Sequence, residues 1–243
     1  MLVWIFGGGF YSGTSTLSLY DMRVLAAEEN IIMVSMQYRV ASVGFLYFGT
    51  EDVPGNSGLF DQRMALEWIK DNIREFGGNP ENVTIFGESA GGASVSYHLL
   101  SPLSRNLFSQ AIMQSASALV PWGIISPQES TLRGFRLAET MECIKSREQH
   151  GKDDIRQAID CLRTKNATDL VTKEWDGITV GIAEFPFVPV IDGSFLDETP
   201  AKSLETKNFK KCNIMMGGNQ DEGYYFIMYY LNDIFKNCLL YTS

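Results

Sequence analysis

The segment Val83-Thr84-Ile85-Phe86-Gly87-Glu88-Ser89-Ala90-Gly91-Gly92-Ala93 constrains the fold more than any other part of the chain. Val83 to Phe86 is a short apolar run of β type, and a small-residue stretch from Ser89 to Leu100 reads as a helix. A strand that turns this sharply into a helix passes through a crowded residue. Glycine two positions before and two after Ser89 removes the side chains that would clash there.

The rest of the chain repeats the alternation. Leu2 to Phe6, Ile31 to Met36, Phe108 to Gln114 and Asn213 to Gly217 are further strand-like runs. Runs apolar on both faces suit strands buried in a parallel sheet. Ser57 to Phe76 carries Leu59, Phe60, Met64, Trp68, Ile69, Ile73 and Phe76 at helical spacing and stops at Gly77-Gly78-Asn79-Pro80. Further helices are predicted over Pro127–Met141, Asp153–Arg163 and Asp221–Phe235, and the polar stretch from Lys145 to Asp154 reads as loop. The expected class is α/β, with a mainly parallel central sheet flanked by helices.

Composition adds exclusions. The 243 residues can bury a sizeable single core, and 45% hydrophobic with 20% charged residues is an ordinary globular balance. No apolar run approaches the roughly 20 residues that span a bilayer. Met1 is followed by no basic start or cleavage site. A formal charge of −9 disfavours nucleic acid as a partner and is also common for solubility alone. None of the four cysteines forms a C-x-x-C pair, and two histidines leave little for metal ligation; no metal or cofactor is expected.

Gly87-x-Ser89-x-Gly91 between a strand and a helix is the context that a serine nucleophile elbow requires, and the helix N-terminus behind it favours developing negative charge. A chance match is the alternative for any five-residue pattern. Gly7-Gly8-Gly9 after the first strand is a plain turn when read alone. Beside such an elbow, Gly8 and Gly9 with Ala90 become candidate N–H donors for an oxyanion. Glu222, just after the last predicted strand, is the candidate acid, and Asp221 competes with it on the residues alone. No histidine follows. His98 lies roughly 13 Å along the helix from Ser89, so it reads as a packed helix residue, and His150 reads as a solvated loop residue. The general base is therefore expected to be absent from this chain.

Extended blocks carry a family resemblance. They are 7–17 (Gly7-Gly8-Gly9-Phe10-Tyr11-Ser12-Gly13 and onward), Tyr38-Arg39-Val40, 54–63 (Pro54-Gly55-Asn56-Ser57-Gly58 and onward), 82–95, Phe185-Pro186-Phe187-Val188-Pro189-Val190-Ile191-Asp192-Gly193 and Asp221-Glu222-Gly223. In this order they resemble the cholinesterases of the type B carboxylesterase family, which have the α/β-hydrolase fold. The resemblance covers the chain to about Phe235 and implies a partial domain over 1–237. It also implies that Met1 is internal and that a C-terminal part with the catalytic histidine lies beyond this sequence. Residues 238–243, from Cys238 to Ser243, match no pattern of the family and read as a non-native tail.

The resemblance assigns Glu222 over Asp221 as the triad acid. It implies an acyl pocket of Trp122, Phe185, Phe187 and Phe226, and a choline site and gorge with Glu88, Tyr225, Tyr11, Trp175 and Tyr229. For each aromatic, the residues alone favour core packing; as ring faces they would attract a quaternary ammonium. It pairs Cys143 with Cys161 in a disulfide, which implies an oxidising compartment. Asn82 and Asn166 open glycosylation sequons, and Asn82 directly precedes a buried strand, so Asn166 is the stronger of the two.

The implied function is cleavage of a choline ester such as acetylcholine by a serine esterase, extracellular and acting at a cell surface or synapse. The implied partner is a small-molecule choline ester. Any oligomer or membrane anchor would depend on the missing C-terminal region. The alternatives are a carboxylesterase of wider acyl range, against which the pair Phe185 and Phe187 argues, and a non-catalytic adhesion protein, against which Ser89 argues.

Overall fold

The computed structural model describes residues 1–145, 150–176 and 184–230, with residues 227–230 by backbone alone. β1 (Leu2–Ile5) leads through a glycine loop and a 3-10 turn (Ser18–Tyr20) to the short helix α1 (Arg23–Glu28). β2 (Met33–Ser35), α2 (Ala41–Phe45) and α3 (Ser57–Asn72) follow, then β3 (Thr84–Glu88), α4 (Ala90–Leu100) and β4 (Gln110–Gln114). The second half holds α5 (Pro127–Thr140), α6 (Lys152–Leu162), α7 (Ala167–Lys173), α8 (Pro200–Glu205), β5 (Ile214–Gly217) and α9 (Gly223–Tyr230).

Among the described residues the sheet has five strands in the order β2-β1-β3-β4-β5, every neighbouring pair parallel. Val34, Val3, Ile85, Ala111 and Ile214 stand in one row across it. Because the strands run the same way, Ile5, Glu88, Gln114 and Gly217 end along one edge. The loops that leave this edge are where an open α/β sheet collects its ligands.

α4 holds the molecule together. Each of its residues is buried, so it needs small side chains and internal partners for its polar groups. Ser94 accepts from the Gln62 amide at 3.2 Å, and the Ser96 hydroxyl meets Met113 Sδ at 2.8 Å. One core cluster packs Val3, Ile5, Ile85 and Met113 of the sheet with Leu66 and Ile69 of α3 and Val95 of α4. A second gathers Phe10, Phe45, Leu59, Tyr97, Phe187 and Phe195.

The structure moves several expected boundaries and faces. The helix expected from Ser89 begins at Ala90, because Ser89 itself is not helical. α3 ends at Asn72 and continues as a 3-10 turn over Ile73–Phe76. Its buried stripe runs through Leu59, Gln62, Leu66, Ile69 and Ile73, while Met64, Trp68 and Phe76 are exposed. The spacing of 59, 62, 66, 69 and 73 is the stricter helical repeat; Met64 and Trp68 fall off it, and Phe76, which would continue it, lies past the end of α3 in the 3-10 turn. The last strand is apolar yet open: Ile214, Met215 and Met216 are all exposed. α6 begins at Lys152, inside the stretch expected to be loop, with the Asp154 carboxylate accepting from Gly151 N at 2.9 Å. α7 and α8 were not expected; each has a side-chain cap, from Asn166 to Thr168 N and from Thr199 to Lys202 N. The expected helix over Asp221–Phe235 is seen at Gly223–Tyr230, and 231–243 lie outside the described residues, Cys238 and the rest of the tail included.

Candidate active site

Ser89 sits at φ 55, ψ −124 at the hinge between β3 and α4. A non-glycine residue held at such a positive φ costs on the order of 1–3 kcal/mol, so its surroundings must over-determine it. Ser89 N donates to Gln114 O at 2.9 Å, and Ser89 O accepts from Ala93 N at 2.9 Å. The flanking glycines are required by close approach. A β-carbon on Gly87 would lie 2.5 Å from Gly91 C and 2.6 Å from Ile5 O, and one on Gly91 would strike Ile5 O.

The glycine loop after β1 faces this hinge. Gly8 O accepts from Tyr11 N and Ser12 N, both at 3.1 Å, which folds the loop back on itself. The N–H groups of Gly8 and Gly9 donate to no partner among the described residues. Ala90 is fully buried as the first residue of α4, where backbone N–H groups lack intrahelical partners.

Ser89, Gly7, Gly8, Gly9, Glu88 and Glu222 line one cavity of about 630 Å³. Glu222 faces it and Asp221 does not. Glu222 Oε1 accepts from Asn219 N at 2.7 Å. The hydroxyl of Ser115, followed by that amide, holds the Glu222 carboxyl below the usual carboxylate range. Glu88 goes the other way: the protein crowded around it, and next the charge of Glu222, raise its pKa.

Ser115 is a site residue that the sequence reading missed. It follows β4 directly, at φ 57, with its N–H on Gly217 O at 2.8 Å. A polar residue at the C-terminal end of a parallel strand is the signal that could have found it. Tyr20 was also missed; it lines the cavity and packs on Trp4 with ring centroids 5.1 Å apart.

The aromatic expectations divide. Trp122, Phe185, Tyr11, Tyr225 and Phe226 line the cavity. Phe185 stacks on Tyr11 at 5.2 Å and meets Trp122 edge-on at 5.8 Å. Trp175 stands outside the lining, edge-on to Tyr11 at 5.4 Å. Phe187 also lies outside it, fully buried in the core, because the chain bends at Pro186 and Phe187 instead of running on as a strand. The side chain of Tyr229 lies outside the described residues.

Neither histidine serves Ser89. His98 is fully buried, with Nε2 3.0 Å from Gln62 Oε1 and Nδ1 2.9 Å from Ser104 Oγ. Burial pushes its pKa down to about 3, so it stays neutral. His150, expected to be solvated, is instead packed: its ring stacks on Phe135 at 4.2 Å and Nε2 contacts Glu139 at 2.9 Å. An aromatic face from α5 covers it, which its polar neighbours in the sequence did not reveal. Cys143 and Cys161 form a disulfide, and Asn82 and Asn166 are both exposed. Among the described residues no group of three or more His, Cys, Asp or Glu side chains could hold a metal ion.

A model of the carboxylesterase family matches residues 1–239. The chain belongs to the carboxylesterase family. It is 49% identical over 229 residues, 94% of this chain, to cholinesterase 2 of Branchiostoma lanceolatum. It is 47% identical to the acetylcholinesterase of Bungarus fasciatus and 45% identical to acetylcholinesterase 1 of Caenorhabditis elegans, over 98% and 100% of this chain. The chain spans 66%, 38% and 39% of these three relatives.

Proposed function

We propose that the protein containing this chain is a serine ester hydrolase of the cholinesterase type, cleaving acetylcholine to choline and acetate. Ser89 is the nucleophile. Its Oγ attacks the ester carbonyl, and the N–H groups of Gly8, Gly9 and Ala90 hold the oxyanion of the tetrahedral intermediate. A histidine other than His98 and His150, outside this sequence, takes the serine proton and passes it to the departing alcohol. Glu222 orients that histidine and stabilises its cation. Water then cleaves the acyl-serine by the same route in reverse.

One observation carries this reading: the strained Ser89, a glycine loop whose Gly8 and Gly9 N–H groups have no partner among the described residues, and Glu222, held below the usual carboxylate range, open onto a single cavity. Phe185, Trp122 and Phe226 support a small acyl pocket. Tyr225, Tyr11 and Glu88 support a site for a cationic alcohol, through ring faces and a carboxylate, with Trp175 edge-on to Tyr11 beside it. Phe187 is the exception; its burial leaves Phe185 as the only one of the pair on the cavity. That position favours a second reading, a carboxylesterase of wider acyl range.

The disulfide supports an oxidising, extracellular setting. Asn166 supports N-glycosylation, since its Oδ1 caps α7 and the residue is exposed. The test is turnover of acetylthiocholine, butyrylthiocholine and a neutral phenyl ester by the intact protein. An acetylcholine hydrolase favours the acetyl ester of the cationic alcohol. Equal rates on all three would support the wider carboxylesterase instead.

A further inference from the structure

We infer that Arg133 of α5, a residue outside the cavity, sets the acyl selectivity of the site by fixing the backbone of Phe185. This rests on the esterase reading above and adds a positioning residue to it. Arg133 is 6% exposed and does not line the cavity. Its Nη1 donates to Phe185 O at 2.7 Å and to Pro186 O at 3.1 Å, while Nε donates to Glu129 Oε1 at 2.7 Å. One guanidinium therefore ties two successive carbonyls of the bend to a carboxylate one helical turn away. A planar fork of donors can do this; the single ammonium of lysine cannot.

The far end of the same strap is pinned as well. Ile125 N donates to Pro189 O at 3.1 Å. The fully buried Asn56 amide donates to Val190 O at 2.7 Å and accepts from Val190 N at 2.9 Å. Phe185 stands at the Arg133 end of this strap, pressed against Gly9 on one side and stacked on Tyr11 on the other. A ring whose own carbonyl is held and which is packed between Gly9 and Tyr11 cannot swing back to admit a longer acyl chain. Released at the Arg133 end, the bend regains that freedom and its two carbonyls lose buried donors.

The test uses the intact protein with Arg133→Lys, Phe185→Ala and the double variant, reading kcat/KM for acetyl- and butyrylthiocholine. Arg133→Lys is expected to lower the acetyl-to-butyryl ratio on the order of ten-fold, the scale at which apolar pockets discriminate acyl length. The double variant is expected to match Phe185→Ala alone, because Arg133 acts through that ring. Glu129→Gln, which loosens Arg133 without removing it, should shift the ratio the same way by less, and stands in if Arg133→Lys does not fold. An unchanged ratio in a folded variant overturns the inference, as does a double variant whose effects multiply. Wild-type protein that turns over neither ester defeats the esterase reading itself, a result distinct from either of these.

Discussion

The ring of Phe185 occupies the space that a side chain on Gly9 would need: its Cζ lies 2.6 Å from where a β-carbon would sit. Gly9 also has φ 61. The Phe185 ring and the glycine loop thus share one packing contact.

Gly9→Ala should therefore damage both. The methyl must push either Phe185 outward or the loop away from Ser89. Loss of one oxyanion donor costs about 10²–10³-fold in kcat, and a loss of that order is expected in steady-state hydrolysis of acetylthiocholine. A variant within a few-fold of wild type would remove Gly9 from the oxyanion hole.

Ser115→Ala should weaken the acid without removing it. The Ser115 hydroxyl is the main cause of the lowered Glu222 pKa, so the variant's carboxyl returns towards its ordinary value. A hydrogen bond to a charged group contributes about 1.5–3 kcal/mol when shielded and less at the exposed Glu222, so a loss of a few-fold to roughly ten-fold in kcat/KM is expected. Glu222→Gln should lose about 10⁴-fold by leaving the histidine base without its anion. If Ser115→Ala matched wild type, the serine would be a bystander.

These two serines show what the sequence could carry. Ser89 was legible because its motif is local: strand, two glycines and helix are neighbours in the chain. Ser115 was not, since its role depends on Glu222, brought beside it by the pairing of β4 with β5. Phe187 stands apart for a related reason. Family position put it in the pocket, but the bend at Pro186 turns its ring into the core. The parallel sheet could be anticipated from continuous apolar runs, and the repeat through 59, 62, 66 and 69 marks the buried face of α3. His150 was hidden because the face that covers it, Phe135, comes from another helix.

His98 makes stability depend on acid. Its pKa is lowered from 6.5 to about 3 by burial. Between those values the unfolded chain binds a proton that the folded chain refuses, so stability rises with pH across that window. The slope from one such group is about 1.4 kcal/mol per pH unit. His98→Gln should abolish this component in denaturant unfolding between pH 4 and 6, assays spanning roughly two units. It should also cost about 1–3 kcal/mol at neutral pH through Gln62 and Ser104. An unchanged slope would mean that other groups govern the acid limb.

The disulfide closes a loop across a separation of 18 residues. Chain entropy alone gives a bridge of that span about 3 kcal/mol. Replacing Cys143 and Cys161 together by serine is expected to lower stability by about that amount. The loss should appear as an earlier unfolding midpoint, and reducing agent should leave the variant unaffected.

Covalent labelling of Ser89 tests the central claim most directly. The intact protein would be treated with an organophosphate and its peptides analysed by mass spectrometry. A single adduct on Ser89 is expected, with loss of ester turnover in step with labelling and no reaction in Ser89→Ala. Full ester turnover by Ser89→Ala, or an intact protein that hydrolyses esters while Ser89 stays unlabelled, would contradict the account.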